Sequence, residues 1–426
     1  MRFLAAALLA FVATPACAAD VAGTWALYAM NRGEVTDVTR LELSVTGNAV
    51  SGKGRDFTVS GTINGDDLIF TAARSDGFAF GTFAFHISGA DAAGTLKRPN
   101  NTTDQFVLHR LPARATPKTV TFEPKTYHRL FGPAEPALRI NAGDTVRTTT
   151  LDASGMDADG KSQALGGNPQ TGPIYVAGAI PGDTLAVTIL RIRLNRPTAH
   201  SGAVIEDAAL TTEYASQIRR EPRNVGGDWK LDIAGGTATP AQPSEKLKDF
   251  RVPLKPMIGG IGVAPARDEA FRTNQLGYYG GNLDYNGLTE GTTLYLPVAR
   301  EGGLLYIGDV HAAQGAGELT GDALETSAEV ELKIDVRPGA MATAPLAENA
   351  DFLMSMGVAG SMEAATRQAV TGLAQWLSRD YGLSSYEAAL VLGAAAKIEI
   401  AEVVDPQINI VAKVPKSVLT SLKKIN

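Results

Sequence analysis

The densest run of residues able to do chemistry is Gly308-Asp309-Val310-His311-Ala312-Ala313-Gln314-Gly315-Ala316-Gly317-Glu318. It directly follows the apolar run Leu304-Leu305-Tyr306-Ile307, which reads as a strand. If that strand continues through His311, Asp309 and His311 project to one face. A carboxylate and an imidazole side by side can bind a divalent metal or form an oriented acid/base pair. The small residues after His311 let the backbone turn tightly and bring Glu318 back towards them. The same stretch also reads as a strand-end loop with ordinary caps and surface charges, and residue types alone do not separate the two. A second stretch, Tyr279-Gly280-Gly281-Asn282-Leu283-Asp284, again sets two polar side chains two residues apart. It reads equally as a glycine-rich turn with Asx hydrogen bonds. Asp152 stands just after the strand-like Thr145–Leu151 segment.

Other chemistries leave no trace. There is no Cys-x-x-Cys, no His-Glu-x-x-His, no phosphate loop and no Gly-x-Gly-x-x-Gly after a strand. A Gly-x-Ser-x-Gly elbow is also absent. Of the 5 histidines, His128 and His200 are lesser candidates that read as structural or surface residues. With a net charge of −6, nothing points to nucleic acid or to an anionic membrane surface.

The elements that must position these residues are mostly strands. The 45 glycines and 22 prolines favour a turn-rich, mainly β fold with a smaller α/β portion. Residues 20–112 read as a small all-β barrel or sandwich, with alternating runs such as Arg40–Val45 and Phe57–Ile63 and a hairpin signal at Asn64-Gly65. Trp25 reads as a core plug. This domain could be an interaction module, a stabilising cap or an oligomer interface. Residues 113–120, with Pro112 before them and Pro117 within, read as a linker to a second domain spanning 121–426. Strand patterns there include Thr184–Leu194 and Glu329–Val336, the latter with Val330, Leu332, Ile334 and Val336 on one face. After about residue 360 the period changes to helical. One helix spans Ser361–Asp380, with Gly382 as its stop. A second opens at the Ser384–Glu387 capping box and runs to about Ile400.

Residues 1–19 read as a signal peptide: Arg2, the apolar run Phe3–Val12, then Ala16-Cys17-Ala18. Export to the periplasm or beyond is expected. Cleavage after Ala18 would remove the single cysteine and leave a net charge of −7. Lipidation at Cys17 is the less favoured route, since Thr14-Pro15-Ala16 is a poor lead-in. No other apolar stretch is long enough to cross a membrane as a helix.

Taken in order, several blocks resemble the acetamidase/formamidase family. They are Pro136–Asp152; Asn168-Pro169-Gln170-Thr171-Gly172-Pro173-Ile174-Tyr175-Val176 running to Asp183; Ile261–Ala266; Gly280–Asp284; Leu294–Val298; Gly308–Glu318; and the end with Val404-Asp405 and Val414-Pro415-Lys416. The resemblance covers about Phe122 to Lys416 and leaves residues 20–111 outside it. It implies a β-rich domain with two helices towards its end, an oligomeric enzyme, and hydrolysis of a small amide C–N bond to carboxylate and ammonia. Two departures stand out: Val310 where the family commonly has glycine, and Ala316 where it commonly has aspartate. A catalytically inactive, extracytoplasmic small-molecule binding protein on the same fold is the alternative.

Amide hydrolysis needs an activated water, a polarised carbonyl and a proton for the leaving nitrogen, and a divalent metal can meet the first two needs. Asp309, His311 and Asp284 are the expected ligands, with Asp152 an outer candidate. Glu318 is the expected general base or a further ligand, with Asp309 and His311 also in the catalytic set. Asn282, Gly281 and Gln314 are expected at the substrate. Mixed carboxylate and imidazole ligation suits zinc or manganese, with zinc preferred.

Overall fold

A computed structural model describes residues 20–221, 225–339 and 342–425. The expected signal peptide, Cys17 included, lies outside the described residues. The chain divides into two compact units, the first ending at Ala113 and the second beginning at Arg114.

In the first unit eight strands close into a barrel: Gly23–Asn31, Glu34–Thr46, Ala49–Lys53, Phe57–Asn64, Asp67–Arg74, Ala79–Ser88, Asp91–Lys97 and Thr103–Arg110. Each strand is antiparallel to the next, and the first pairs with the last. Closure removes both sheet edges, which is why the alternating pattern resolves as a barrel and not a sandwich. Alternation fills the interior, as where Leu68, Phe70 and Ala72 point inward from Asp67–Arg74. Phe70 stacks on Phe83 at 4.9 Å. Trp25 is wholly buried and its indole donates to the Val21 carbonyl at 3.0 Å. Gly65 turns the hairpin between Asn64 and Asp67 at φ 62°.

The second unit is built on two large sheets around a shared apolar core that draws on both, with Leu130–Phe131 and Phe271–Arg272 pairing as a small third sheet. One has nine strands, from Lys397–Glu402 at one edge to Thr119–Thr121 at the other, with Thr184–Leu194 and Ala328–Arg337 among its inner strands. The other has twelve and sets Met257–Val263 between Gly280–Asn282 and Leu305–His311. Most pairs are antiparallel. Leu138–Asn141 with Gln170–Ala177, and Thr119–Thr121 with Thr145–Thr150, are parallel. That last pairing means the expected linker ends early: Thr119 is already in a sheet, and Lys118 donates to the Asp144 carboxylate at 2.8 Å.

Helix Met362–Tyr381 packs Ala365, Ala369, Leu373, Trp376 and Leu377 against the outer part of the nine-stranded sheet. Ser361 caps its start and Gly382, at φ 68°, ends it. The Ser384–Glu387 capping box opens helix Ser385–Ala395. This second helix stops short of Ile400. Ala396 is extended, and Lys397–Glu402 pairs with Ile408–Pro415. Lys-Ile-Glu-Ile alternates with period two, and the neighbouring strand outcompetes one more helical turn.

Candidate active site

Strand Leu305–His311 is entirely buried, so its two polar residues need partners. Its register against Met257–Val263 passes from Ile258↔Val310 to Gly260↔Gly308, leaving Gly259 and Asp309 out of the ladder. Asp309 sits there at φ 57°. Asp284, Glu318 and Asn168 are left-handed too, at 40°, 45° and 54°. Four strained non-glycine residues gathered in one place mark a site whose surroundings over-determine its geometry.

Gly259 forms the floor. A Cβ there would fall 2.4 Å from Asp284 Oδ1, 2.8 Å from Asp309 Oδ2 and 3.0 Å from His311 Cε1. Only glycine lets those three side chains converge. His311 is the centre: its Nε2 lies 3.0 Å from Glu325 Oε1, 3.3 Å from Asp309 Oδ1 and 3.9 Å from Asp284 Oδ1. Glu325 arrives as the direct cross-strand partner of His311. Glu318 Oε1 lies 3.9 Å from His311 Nδ1.

Gln314 fixes the imidazole. Its amide nitrogen donates to the Asp284 carbonyl at 2.6 Å, so its amide oxygen faces His311 Nδ1 at 2.8 Å. An amide oxygen only accepts, so Nδ1 carries a proton. In the neutral ring the Nε2 lone pair therefore points at carboxylate oxygens, which is repulsive without a cation between them. Nε2, Asp309 Oδ1, Asp284 Oδ1 and Glu325 Oε2 are all buried without a hydrogen-bond partner among the described residues. Two groups have ligand atoms mutually within 4.8 Å: Asp284, Asp309 and His311, and His311, Glu318 and Glu325. Orphaned oxygens and a nitrogen lone pair facing one another are what a divalent cation would satisfy.

A second layer holds these side chains. Asn282 Nδ2 donates to Asp284 Oδ2 at 2.5 Å and to Asp405 Oδ2 at 2.8 Å. Asn168 Nδ2 donates to Asn282 Oδ1 at 2.8 Å and to Asp309 Oδ2 at 3.1 Å. Gln170 Nε2 in turn donates to the Asn168 carbonyl.

The electrostatics follow from burial of many acids. Burial, then the charges of Glu318 and Asp309, hold the Asp284 carboxyl well above the usual range. Burial also pushes Glu318 well up against the opposing pull of His311. It lifts Glu325 to about 8, Asp405 to about 7 and Glu402 to about 8. For His311, burial works to lower the value, but Glu325 and Asp309 raise it well above that of a free imidazole. Without a metal, protons must supply the positive charge here.

The structure thus brings Asp309, His311, Asp284, Glu318, Asn282 and Gln314 together. Asp152 is not among them: it is buried in an ion pair with Arg196 at 2.6 Å, because the Thr145–Thr150 strand that leads to it belongs to the other sheet. Gly281 contributes backbone only. A Cβ there would meet the Gln275 carbonyl at 2.2 Å. His128 packs edge-on to Tyr306, and His200 pairs with Asp228 at the surface. Val310 points into the apolar core, away from the acids, and Ala316 is exposed on the loop. Residue types did not single out Glu325, Asp405, Asn168 or Gly259. Asn168 and Asp405 stood inside family-like blocks, whereas Glu325 had no signal beyond its pairing opposite His311.

Known proteins resemble this chain. The sequence model of the Acetamidase/Formamidase family matches residues 266–421. An acetamidase of Mycolicibacterium smegmatis is 27% identical over 230 residues, 43% of this chain and 57% of that protein. A formamidase of Methylophilus methylotrophus is 36% identical over 78 residues, 18% of this chain and 19% of that protein. The chain therefore aligns with less than two thirds of these curated relatives. Solved structures align more fully. An acetamidase from Yersinia enterocolitica superposes with a TM-score of 0.60 at 30% identity, over 71% of this chain and 94% of that one. A predicted acetamidase/formamidase from Thermoanaerobacter tengcongensis gives 0.60 at 26% identity, over 72% and 98%. With a relative of that identity covered nearly end to end, the chain belongs to the acetamidase/formamidase family.

Proposed function

We propose that the His311 cluster hydrolyses a small linear amide to its carboxylate and ammonia, with a divalent metal, zinc in preference, held by Asp284, Asp309 and His311. The observation that carries this reading is the set of buried, unpartnered atoms around His311 Nε2, in a chain of this family. Glu325 is a further ligand or holds the imidazole. What a divalent cation supplies when bound to such donors is Lewis acidity towards a carbonyl oxygen and a lowered water pKa.

The chain's own residues do the rest. Glu318, its carboxyl raised well above the ordinary carboxylate range by burial, is suited to take up and release a proton. It accepts a proton from the attacking water as the new C–O bond forms. It returns that proton to the leaving nitrogen as the C–N bond breaks, so ammonia departs and the carboxylic acid left behind gives its remaining proton to the released ammonia or to solvent, becoming the carboxylate. Asn282 and Asn168 keep the acids in place during this exchange. Enclosure by the buried strand keeps bulk water from screening the charges. The enzyme acts outside the cytoplasm, after removal of its signal peptide by cleavage after Ala18.

The test is elemental analysis of purified protein followed by ammonia release from short-chain and amino-acid amides. Asp309→Ala and His311→Ala should each lose bound metal and more than about 100-fold in turnover, with an unchanged circular dichroism spectrum. Full turnover in either variant, or in protein shown to be metal-free, overturns the reading.

A further inference from the structure

Beside the His311 cluster, two buried side chains each leave one oxygen without a partner. Glu402 and Asn409 stand directly opposite one another where strand Lys397–Glu402 meets strand Ile408–Pro415, and both are wholly buried. Residues opposite in such a ladder project to one face, with Cβ atoms roughly 4.5–5.5 Å apart. Half of their polar atoms are engaged. Glu402 Oε2 accepts from the backbone N–H groups of Val404 at 3.1 Å and Asp405 at 3.0 Å. Asn409 Nδ2 donates to the Leu283 carbonyl, which fixes the amide and leaves Oδ1 as its free end. Glu402 Oε1 and Asn409 Oδ1 have no hydrogen-bond partner among the described residues. An amide oxygen and an ionised carboxylate both only accept, so neither answers the other. Leaving both unsatisfied in an enclosed place is costly. The cation of the partner strand, Lys413, is committed to Glu399.

We propose that Glu402 is protonated and donates through Oε1 to Asn409 Oδ1, and that this neutral clamp positions the acids of the site for the hydrolysis proposed above, a role that rests on that reading. One proton satisfies both orphaned oxygens. Burial works in the same direction. With the charge of Asp405, it lifts the Glu402 carboxyl to about 8, against the pull of the backbone N–H groups of Asp405, Val404 and Asn409. The charged groups nearest the pair are acids too: Asp405 on the adjoining turn, and Glu318 next to Gly317, which bridges to Glu402.

From this pair, connections run to three residues of the site. Glu402 pins the turn carrying Asp405, and Asp405 Oδ2 accepts from Asn282, which also holds Asp284. Asn409 pins the carbonyl of Leu283, immediately before the left-handed Asp284. The backbone around Glu402 holds the loop ending in Glu318: Gly317 N donates to the Ala401 carbonyl at 2.9 Å, and Val403 N to the Gly317 carbonyl at 3.3 Å. Glu402 and Asn409 are thus positioning residues, acting through Asp405, Asp284 and Glu318.

Glu402→Gln preserves a neutral side chain that donates to Asn409 and accepts from Val404 and Asp405. It should retain zinc affinity and ammonia release, whereas Glu402→Ala should lower both by about 10–100-fold, the usual effect of losing an outer partner. Two further readouts need neither metal nor turnover. The infrared difference between wild type and Glu402→Gln at neutral pH should contain the C=O stretch of a protonated carboxyl. The clamp's stability is complete below the pKa of an unfolded carboxyl and is lost as pH rises through about 8. Metal-free Glu402→Gln should therefore lose less melting temperature than wild type as pH rises to that value. No protonated-carboxyl band, parallel melting curves, or a Glu402→Gln as weak for zinc as Glu402→Ala would overturn the proposal, and would point to an ionised Glu402 bridged by water. If these readouts hold while no amide is hydrolysed, the hydrolytic reading fails and the clamp stands on zinc affinity.

Discussion

At the residue scale, the position of one amide oxygen controls the site. Gln314 binds the Asp284 carbonyl with its nitrogen and His311 Nδ1 with its oxygen, and so aims the Nε2 lone pair at the acids. Gln314→Leu should therefore lower zinc affinity by about 10–100-fold, the usual effect of losing such a supporting partner. Gln314→Glu, which still accepts from Nδ1, should recover most of it. A competitive chelator titration reads both without recourse to turnover. The raised acids make a second prediction. Glu325 and Glu402 at about 8, and Asp405 at about 7, lie above the roughly 4 of carboxyls in an unfolded chain. Between those values the folded state binds more protons than the unfolded one, so stability falls as pH rises. Metal-free protein should lose melting temperature progressively from about pH 4 to pH 8. Zinc should flatten or reverse that trend, because it takes the place of the protons. A melting temperature that rises over this range in metal-free protein would contradict the assignment. Much of this site is legible in sequence. Asp309 and His311 are two apart after an apolar run, and Asn282 and Asp284 are two apart after paired glycines. Glu325 is not legible. It meets His311 only because a hairpin with a long loop returns it in register, and nothing local marks that pairing.

At the scale of elements, glycines decide how closely backbones approach. Gly357, on strand Phe352–Ala359, lies beneath helix Met362–Tyr381, where a Cβ would fall 1.8 Å from the Ala365 carbonyl and 2.5 Å from Ala369 N. Gly357→Ala must lift that helix from the sheet. It should cost about 1–3 kcal/mol or more, the range for overpacking a filled core, read as a lower denaturant midpoint. Gly393→Ala, on the open face of the next helix, should leave monomer stability unchanged or slightly raised, because alanine has the better helix propensity. The pair separates a packed glycine from an unpacked one by measurement. Periodicity predicts both helices and their caps, since Ser361, Gly382 and Ser384 act within a few residues of themselves. It misplaces the end of the second helix because Lys397–Glu402 is chosen by a partner strand whose paired residues lie 7 to 16 positions further along the chain. The start of the sheet at Thr119 is hidden for the same reason: its parallel partner is Thr145–Thr150.

At the scale of the whole molecule, the barrel and the second unit each close their own core. The barrel's buried residues, from Val21 to Leu108, form one cluster, and its eight strands leave no open edge. The residues of the His311 cluster, from Asn168 to Asp405, all lie in the second unit. The sequence match to the family falls wholly within that unit as well. Alternating patterns make the barrel legible as a separate β domain, but no residue in it announces a task. We therefore expect residues 114–426 alone to bind metal as the full chain does and to release ammonia within about 2-fold of its rate, since every hydrogen-bond partner named for the cluster comes from the second unit itself. Expressed separately, residues 20–113 should melt cooperatively, as a small domain with its own core does. If removing the barrel costs more than about 10-fold in turnover while metal affinity is unchanged, the barrel takes part in catalysis or substrate capture. If metal affinity falls too, the barrel supports the fold of the second unit, and independence of the two cores is refuted.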